Sequence, residues 1–134
     1  MAEISLMSSY KVFVKDHVLF FQMVGTMDLV AAQEYYLKVK GMLPELGDKW
    51  ASLVDLRHWG LHTPEITEQM VGFHRWVEKN GHQVEVCITG GSNLKVMVRK
   101  KLLEQSHTNL NIIYVDTEEE GWAWLAEQGY VDTV

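Results

Sequence analysis

From Tyr10 to Lys15 the chain alternates apolar and polar side chains (YKVFVK), and a second β-compatible run, His17 to Val24 (HVLFFQMV), follows after almost no spacer. A period of two marks half-buried strands, so the pair predicts an antiparallel hairpin with a tight turn near Asp16. Asp-His is not a preferred hairpin pair, which leaves the turn type open. From Asp28 the period changes to three and four: Leu29, Ala32, Tyr36, Val39 and Leu43 form the stripe of a helix capped by Asp28 and ended by Pro44 and Gly47. Trp50 to Leu56 (WASLVDL) predicts a short buried strand. In the next helix Thr63 caps, Pro64 takes the first turn, and Glu65 and Glu68 suit the positive helix end. Ile66, Met70, Phe73 and Val77 form its stripe, and Asn80-Gly81 stops it.

Gln83 to Thr89 (QVEVCIT) predicts a fourth strand, and Gly90-Gly91-Ser92-Asn93 a turn into a helix with Leu94, Met97, Val98 and Leu102 inward. Asn111 to Val115 is the fifth strand. Thr117 to Glu120 reads as a capping box opening a last helix with Trp122, Leu125 and Ala126 inward. Tyr35, Trp76 and Trp124 lie at stripe margins and read as rim packing. The order β-β-α-β-α-β-α-β-α implies one α/β domain over residues 1–134. Its mixed five-stranded sheet is mostly parallel, with the first strand antiparallel at or near an edge. Val84, Val86 and Ile88 alternate with Glu85, Cys87 and Thr89, whereas a sheet buried equally on both faces reads as continuously apolar. Helices mainly on one face are therefore expected.

Composition narrows the function classes. A chain of 134 residues that is 47% hydrophobic can build its own core. A net charge of −6, with a sequence pI near 5.4, argues against nucleic acid as a partner. The opening MAEISLMSSY lacks a signal-peptide pattern, and the longest apolar run, around VLFFQMVG, is too short to span a bilayer, so a cytoplasmic protein is expected. Lys95, Arg99, Lys100 and Lys101 read as a solvated helix face. Cys87, the single cysteine, has apolar neighbours and reads as a core residue.

The stretch DLRHWGLHTPE, Asp55 to Glu65, concentrates candidate chemistry around Gly60. His58 and His62 are four apart, but glycine between them argues against the helix that would align them, and the ligand set for zinc is incomplete. A hydrolase built on Asp55, His58 and Thr63 lacks a nucleophile-elbow pattern. The Gly90 to Asn93 turn lacks the lysine and spacing of a P-loop, so Ser92 or Asn93 reads as a cap. No catalytic residue, cofactor or metal ligand is assigned. In open parallel sheets ligands gather at the carboxyl ends of strands, which places Arg57, His58, Trp59, Thr63 and Ser92 near one rim. Trp59 fits no periodicity and reads equally as a docking residue or a local lid.

The opening hairpin, the run SLVDL entering a loop and a helix, the GG turn and the ending EEGWAWLAEQG resemble the STAS domain family of sulphate transporters and anti-sigma-factor antagonists. The resemblance is closest to its stand-alone STAS-like branch and covers Tyr10 to Gly129. It implies a non-enzymatic regulatory module working through partner proteins; some branches hold nucleotides or apolar ligands. In the antagonist branch a strand ending in Asp-Leu leads to an Asp-Ser-Ser-Gly motif whose serine is phosphorylated. Asp55-Leu56 match the strand end, but His62-Thr63-Pro64-Glu65 replaces the motif, leaving Thr63 as the acceptor of a phosphoswitch.

The expected function is a protein-interaction module that binds through residues 55–65 and the start of the second helix, with Arg57, His58, Trp59, His62, Thr63 and Ser92 as site residues. A homodimer and an anionic ligand are compatible with it. The alternative is a carrier of a small apolar or amphipathic ligand between helices and sheet, with Met23, Met42, Met70 and Met97 as adaptable lining. A His-based metal protein or hydrolase ranks below both.

Overall fold

The alternating N-terminal runs form β1 (Ser8–Lys15) and β2 (Val18–Gly25), antiparallel from Ser8 opposite Gly25 to Lys15 opposite Val18. The structure, a computed structural model, describes residues 8–60, 64–106 and 109–132. The hairpin turns at Asp16, whose φ of 52° lies in the left-handed region that aspartate tolerates better than bulkier residues. Helix α1 (Leu29–Leu46) starts where Asp28 Oδ1 accepts from the Ala31 N–H at 2.8 Å. Its buried stripe is Ala32, Tyr35, Val39 and Leu46, rotated from the expected one: Leu29 is 41% exposed and Tyr35 is core rather than rim. The rotation follows the aromatic rings, since Tyr35 packs 4.3 Å from Phe21 and 5.4 Å from Phe73 between centroids. Pro44 does not end the helix. It sits in the last turn, where proline's fixed φ is helical, and Gly47 at φ 87° closes the end, its N–H donating to Leu43 O.

The remaining elements are β3 (Trp50–Asp55), α2 (Pro64–Lys79), β4 (His82–Ile88), α3 (Asn93–Gln105), β5 (Asn111–Val115) and α4 (Glu118–Glu127). The strands lie in the order β1-β2-β3-β4-β5, with every pair after the first parallel. Right-handed crossovers that step always in one direction leave their helices on one face. Accordingly α1, α2 and α3 share a core with Leu19, Met23, Val54 and Cys87. After β5 no crossover constrains the chain, and α4 packs on the other face, where Trp122 and Leu125 meet Phe20, Leu53, Val86 and Ile88. The expected arrangement, helices mainly on one face, is the one seen. The alternation of β4 has a different cause from an open face: Val84, Val86 and Ile88 lie under α4, and Glu85 and Cys87 face the three-helix layer. The Thr117–Glu120 capping box is present in both directions, and Ser92 caps α3.

Two glycines make opposite predictions. Gly81 has φ 103°, and a Cβ there would stand 2.3 Å from the Asp48 carbonyl oxygen, so its turn into β4 admits no side chain. Gly41 sits within α1 with nothing near a Cβ. In urea denaturation Gly41→Ala should stabilise the chain by about 0.5–1 kcal/mol, and Gly81→Ala should destabilise it by more than ~1 kcal/mol. Equal effects would contradict the turn geometry.

Candidate functional site

The carboxyl ends of β3 and β4 bring two loops together. Asp55, the last residue of β3, is fully buried and accepts from Arg57 Nε (2.9 Å), NH2 (2.8 Å) and backbone N–H (3.1 Å), and from Gln22 Nε2 (2.9 Å). Burial pushes its carboxyl up, but the hydrogen bonds of Arg57 and Gln22 outweigh this and hold it below its ordinary value. Arg57 is thereby drawn across the start of the next loop: its Cγ would lie 3.3 Å from a Cβ on Gly90. From α3, Lys95 Nζ donates to the Arg57 carbonyl, and the Lys95 N–H donates to Ser92 Oγ at 3.2 Å. Arg57 and Ser92 are thus near neighbours on the rim, as expected, and His58 is exposed beside them. His62 and Thr63, and with them the expected cap of α2, lie outside the described residues.

Trp59 is 5% exposed. Its backbone forms a parallel bridge to Gly25, flanked by the bonds Gly25 N–H to His58 O (2.9 Å) and Gly60 N–H to Gly25 O (2.7 Å). Gly60 is needed for this crossing, because a Cβ there would meet Thr26 Oγ1 at 2.5 Å. Of the two expected roles, the buried one describes the ring's environment: it closes the end of the helix layer. It also floors a groove of about 620 Å³ between α2 and α3, lined further by Pro64, Val71, Val98 and Leu102, with Glu68 on one side and Lys101 on the other.

A second polar cluster, missed in the sequence, lies inside the helix layer. Arg99, expected on a solvated face, is 3% exposed and donates to Glu85 from Nε (2.7 Å) and NH2 (2.9 Å). The same NH2 donates to His74 Nε2 at 3.2 Å, and Cys87 Sγ donates to Glu85 Oε2 at 3.1 Å. Burial pushes the Glu85 carboxyl up, but the charge and hydrogen bonds of Arg99 outweigh it and hold it down to about 2. Burial first, then the Arg99 charge, lowers His74 to about 3; burial lowers His82 to about 4, and it also raises the Cys87 thiol.

With Arg99 inward, α3 turns Leu94 and Met97 outward, at 53% and 61% exposed, against the expected inner face. The signal was available: one acid in the apolar run VEVCIT needs a buried cation, and the helix that follows β4 supplies it. Ser52 Oγ lies 2.8 Å from His82 Nε2, the spacing of a nucleophile and its base. A triad would need a carboxylate bonded to the other side of the His82 ring, and the buried carboxylate of this cluster, Glu85, is committed to Arg99. The pair is core packing. Among the described residues no three His, Cys, Asp or Glu side chains are grouped to hold a metal ion, and no helix is long and apolar enough to cross a membrane.

No protein-family model and no curated protein matches the chain. Solved structures do. A protein of the DUF3478 family from Shewanella loihica, described as having a SpoIIAA-like fold, superposes over 89% of this chain and 94% of its own, with a TM-score of 0.68 and 11% identity. The fold is SpoIIAA-like. The anti-sigma factor antagonist SpoIIAA in its unphosphorylated form aligns over 92% of this chain and 99% of its own (TM-score 0.58, 15% identity). An anti-sigma factor antagonist from Mycobacterium paratuberculosis aligns over 87% and 92% (TM-score 0.53, 12% identity). At these identities the likeness is one of fold, and it agrees with the STAS-like architecture expected from the order of elements.

Two tests address the SpoIIAA-like core. Arg99→Met should cost about 3–5 kcal/mol in denaturant, because it strands a buried carboxylate, while adding Glu85→Leu should recover most of the loss. Additive losses in the double variant would mean that the two charges are not coupled. For pH, both histidines stay neutral in the folded chain until about pH 4 and 3 but protonate near 6.5 once unfolded. The unfolded state therefore binds more protons below 6.5. Stability is complete above that pH and falls as it drops toward 4, on the order of 1–3 kcal/mol per unit. Glu85 extends the same trend from its ordinary 4.5 down to about 2. Urea midpoints at several pH values measure this, and a flat profile between pH 7 and 5 would contradict the neutral burial of both imidazoles.

Proposed function

We propose that this chain is a non-enzymatic regulatory module that docks a protein partner on the carboxyl rim of its sheet. The observation that carries the reading is the convergence there of Arg57, exposed His58, Ser92 and the mouth of the α2–α3 groove, held by the Asp55–Arg57 pair and by Lys95. Two of the neighbours support it, the Mycobacterium paratuberculosis protein and SpoIIAA, since both are anti-sigma factor antagonists; SpoIIAA, a Bacillus cell fate determinant, was also solved in a phosphorylated form.

In this reading the groove takes an apolar side chain of the partner, and the charges beside it, Glu68 and Lys101, set its orientation. Thr63, immediately before Pro64, is the hydroxyl we assign to a phosphoswitch. A phosphate at the start of α2 would meet the positive helix end and add charge to the docking surface. The carrier alternative draws less support, because Met23 is core, Met97 is exposed, and of the four expected lining methionines Met70 is the one that lines the cavity of the helix layer.

A photocrosslinking residue at His58 should capture a discrete partner in cells of the native host, whereas the same group at exposed Gln83, at the other end of β4, should not. Val71→Glu, which charges the groove, should reduce the His58 adduct at least about tenfold with the fold intact. Equal capture from both positions, or an adduct insensitive to Val71→Glu, would remove the rim as the docking surface. Thr63→Glu should change the yield in the same assay if phosphorylation controls docking.

A further inference from the structure

Within the helix layer lies a partly open cavity of about 40 Å³ whose polar end is built by Ser52, Tyr36, His74, His82, Glu85 and Arg99. Hydrogen-bond accounting there is incomplete in a specific way. Arg99 and Glu85 satisfy each other, and Ser52 Oγ shares a hydrogen with His82 Nε2. Arg99 donates to His74 Nε2, so the hydrogen of that neutral ring resides on Nδ1. His74 Nδ1 and Tyr36 Oη are buried and have no partner among the described residues. They come from α2 and α1, which meet β4 around the cavity. His74 is 6% exposed, so solvent at the surface does not satisfy its ring.

A register irregularity between Trp50 and Ala51 contributes to this placement. Residues three apart on a regular strand face opposite sides, yet His82 and Glu85 line the same cavity because β4 is out of step with β3 at that point.

We propose that this cavity is a binding site for a small neutral hydrogen-bonding guest, no larger than a few water molecules, held by His74 Nδ1 and Tyr36 Oη. The charge is argued from the walls: the cation and the anion there are already paired, and both imidazoles are neutral, so no net charge is left to hold an ion. The size follows from the volume, and unsatisfied polar atoms distinguish the site from an apolar void, which stays dry. Tyr36 and Phe73, stacked at 4.4 Å, line both this cavity and a surface groove of about 570 Å³ between α1 and α2, and they form the partition through which the guest exchanges. Water itself and a small alcohol or amide share this chemistry.

The test uses the full chain, uniformly labelled with nitrogen-15, and water as the first probe. The imidazole hydrogen of His74 should show an Overhauser contact to a water that resides for longer than about a nanosecond. This contact should weaken at least about twofold in Tyr36→Phe, which removes one anchor and keeps the ring stack. Formamide, added as a competing guest, should reduce it in the original chain. If water contacts are missing but the freshly purified protein, in native mass spectrometry, exceeds its denatured mass by a small neutral molecule, the guest is organic and the site stands. If neither appears while xenon shifts the Met70 methyl signal, the cavity is dry and the proposal fails. Contacts unchanged in a folded Tyr36→Phe would equally overturn the assigned anchors.

Discussion

The ion pair between Arg99 and Glu85 sets the arrangement of the helix layer. A carboxylate on the inner face of the central sheet is costly to bury alone, and a guanidinium with two parallel N–H groups is the side chain best shaped to satisfy it. Turning Arg99 inward fixes the rotation of α3. Leu102, Leu103 and Ser106, three, four and seven residues on, fall on the same side and are buried, while Leu94, Met97 and Lys101 turn toward solvent. Lys95, four residues before Arg99, lies on that inner side as well and reaches the Arg57 carbonyl. A choice made deep in the core thus positions a contact at the rim.

The rim uses the same device at shallower depth. Asp55 ends its strand buried, and its need for hydrogen bonds is met by Gln22 from β2 and by Arg57 two residues on, which pins the start of the loop. The Gly25–Trp59 bridge then ties the loop's far side to β2, and the indole closes the layer beneath. The exposed surface that results rests on a rigid base. Such a base would favour the docking proposed above, because a preorganised surface loses less entropy when a partner binds.

Much of this was readable before any coordinates. Periods of two and of three to four, together with short β-compatible runs and cap signals, locate all nine elements; Asp28 and the Thr117–Glu120 box are legible as caps, and the right-handed crossover rule orders the sheet. The candidate site was half legible: the adjacency of the Asp55 and Gly90 loops follows from parallel neighbours, whereas the burial of Trp59 depends on a bridge to Gly25, a residue distant in sequence that no periodicity points to. On α3 the pattern misleads, because Leu94, Met97, Val98 and Leu102 make a plausible apolar stripe and only the charge of Glu85 on β4 outweighs it.

The sequence by itself determined what is local or periodic: element types, caps, glycine stops, the absence of a disulfide partner for Cys87, and a connectivity that leaves little choice of topology. Tertiary structure alone decided which side of each helix faces in, where α4 lies, and which polar groups share the interior. The physical reason is that burial of Arg99, Glu85, His74 and His82 is a property of the set. Each of them taken singly prefers water, and only the hydrogen bonds of Arg99 to Glu85 and His74, that of His82 to Ser52, and the volume between three elements make the interior an acceptable place for all four.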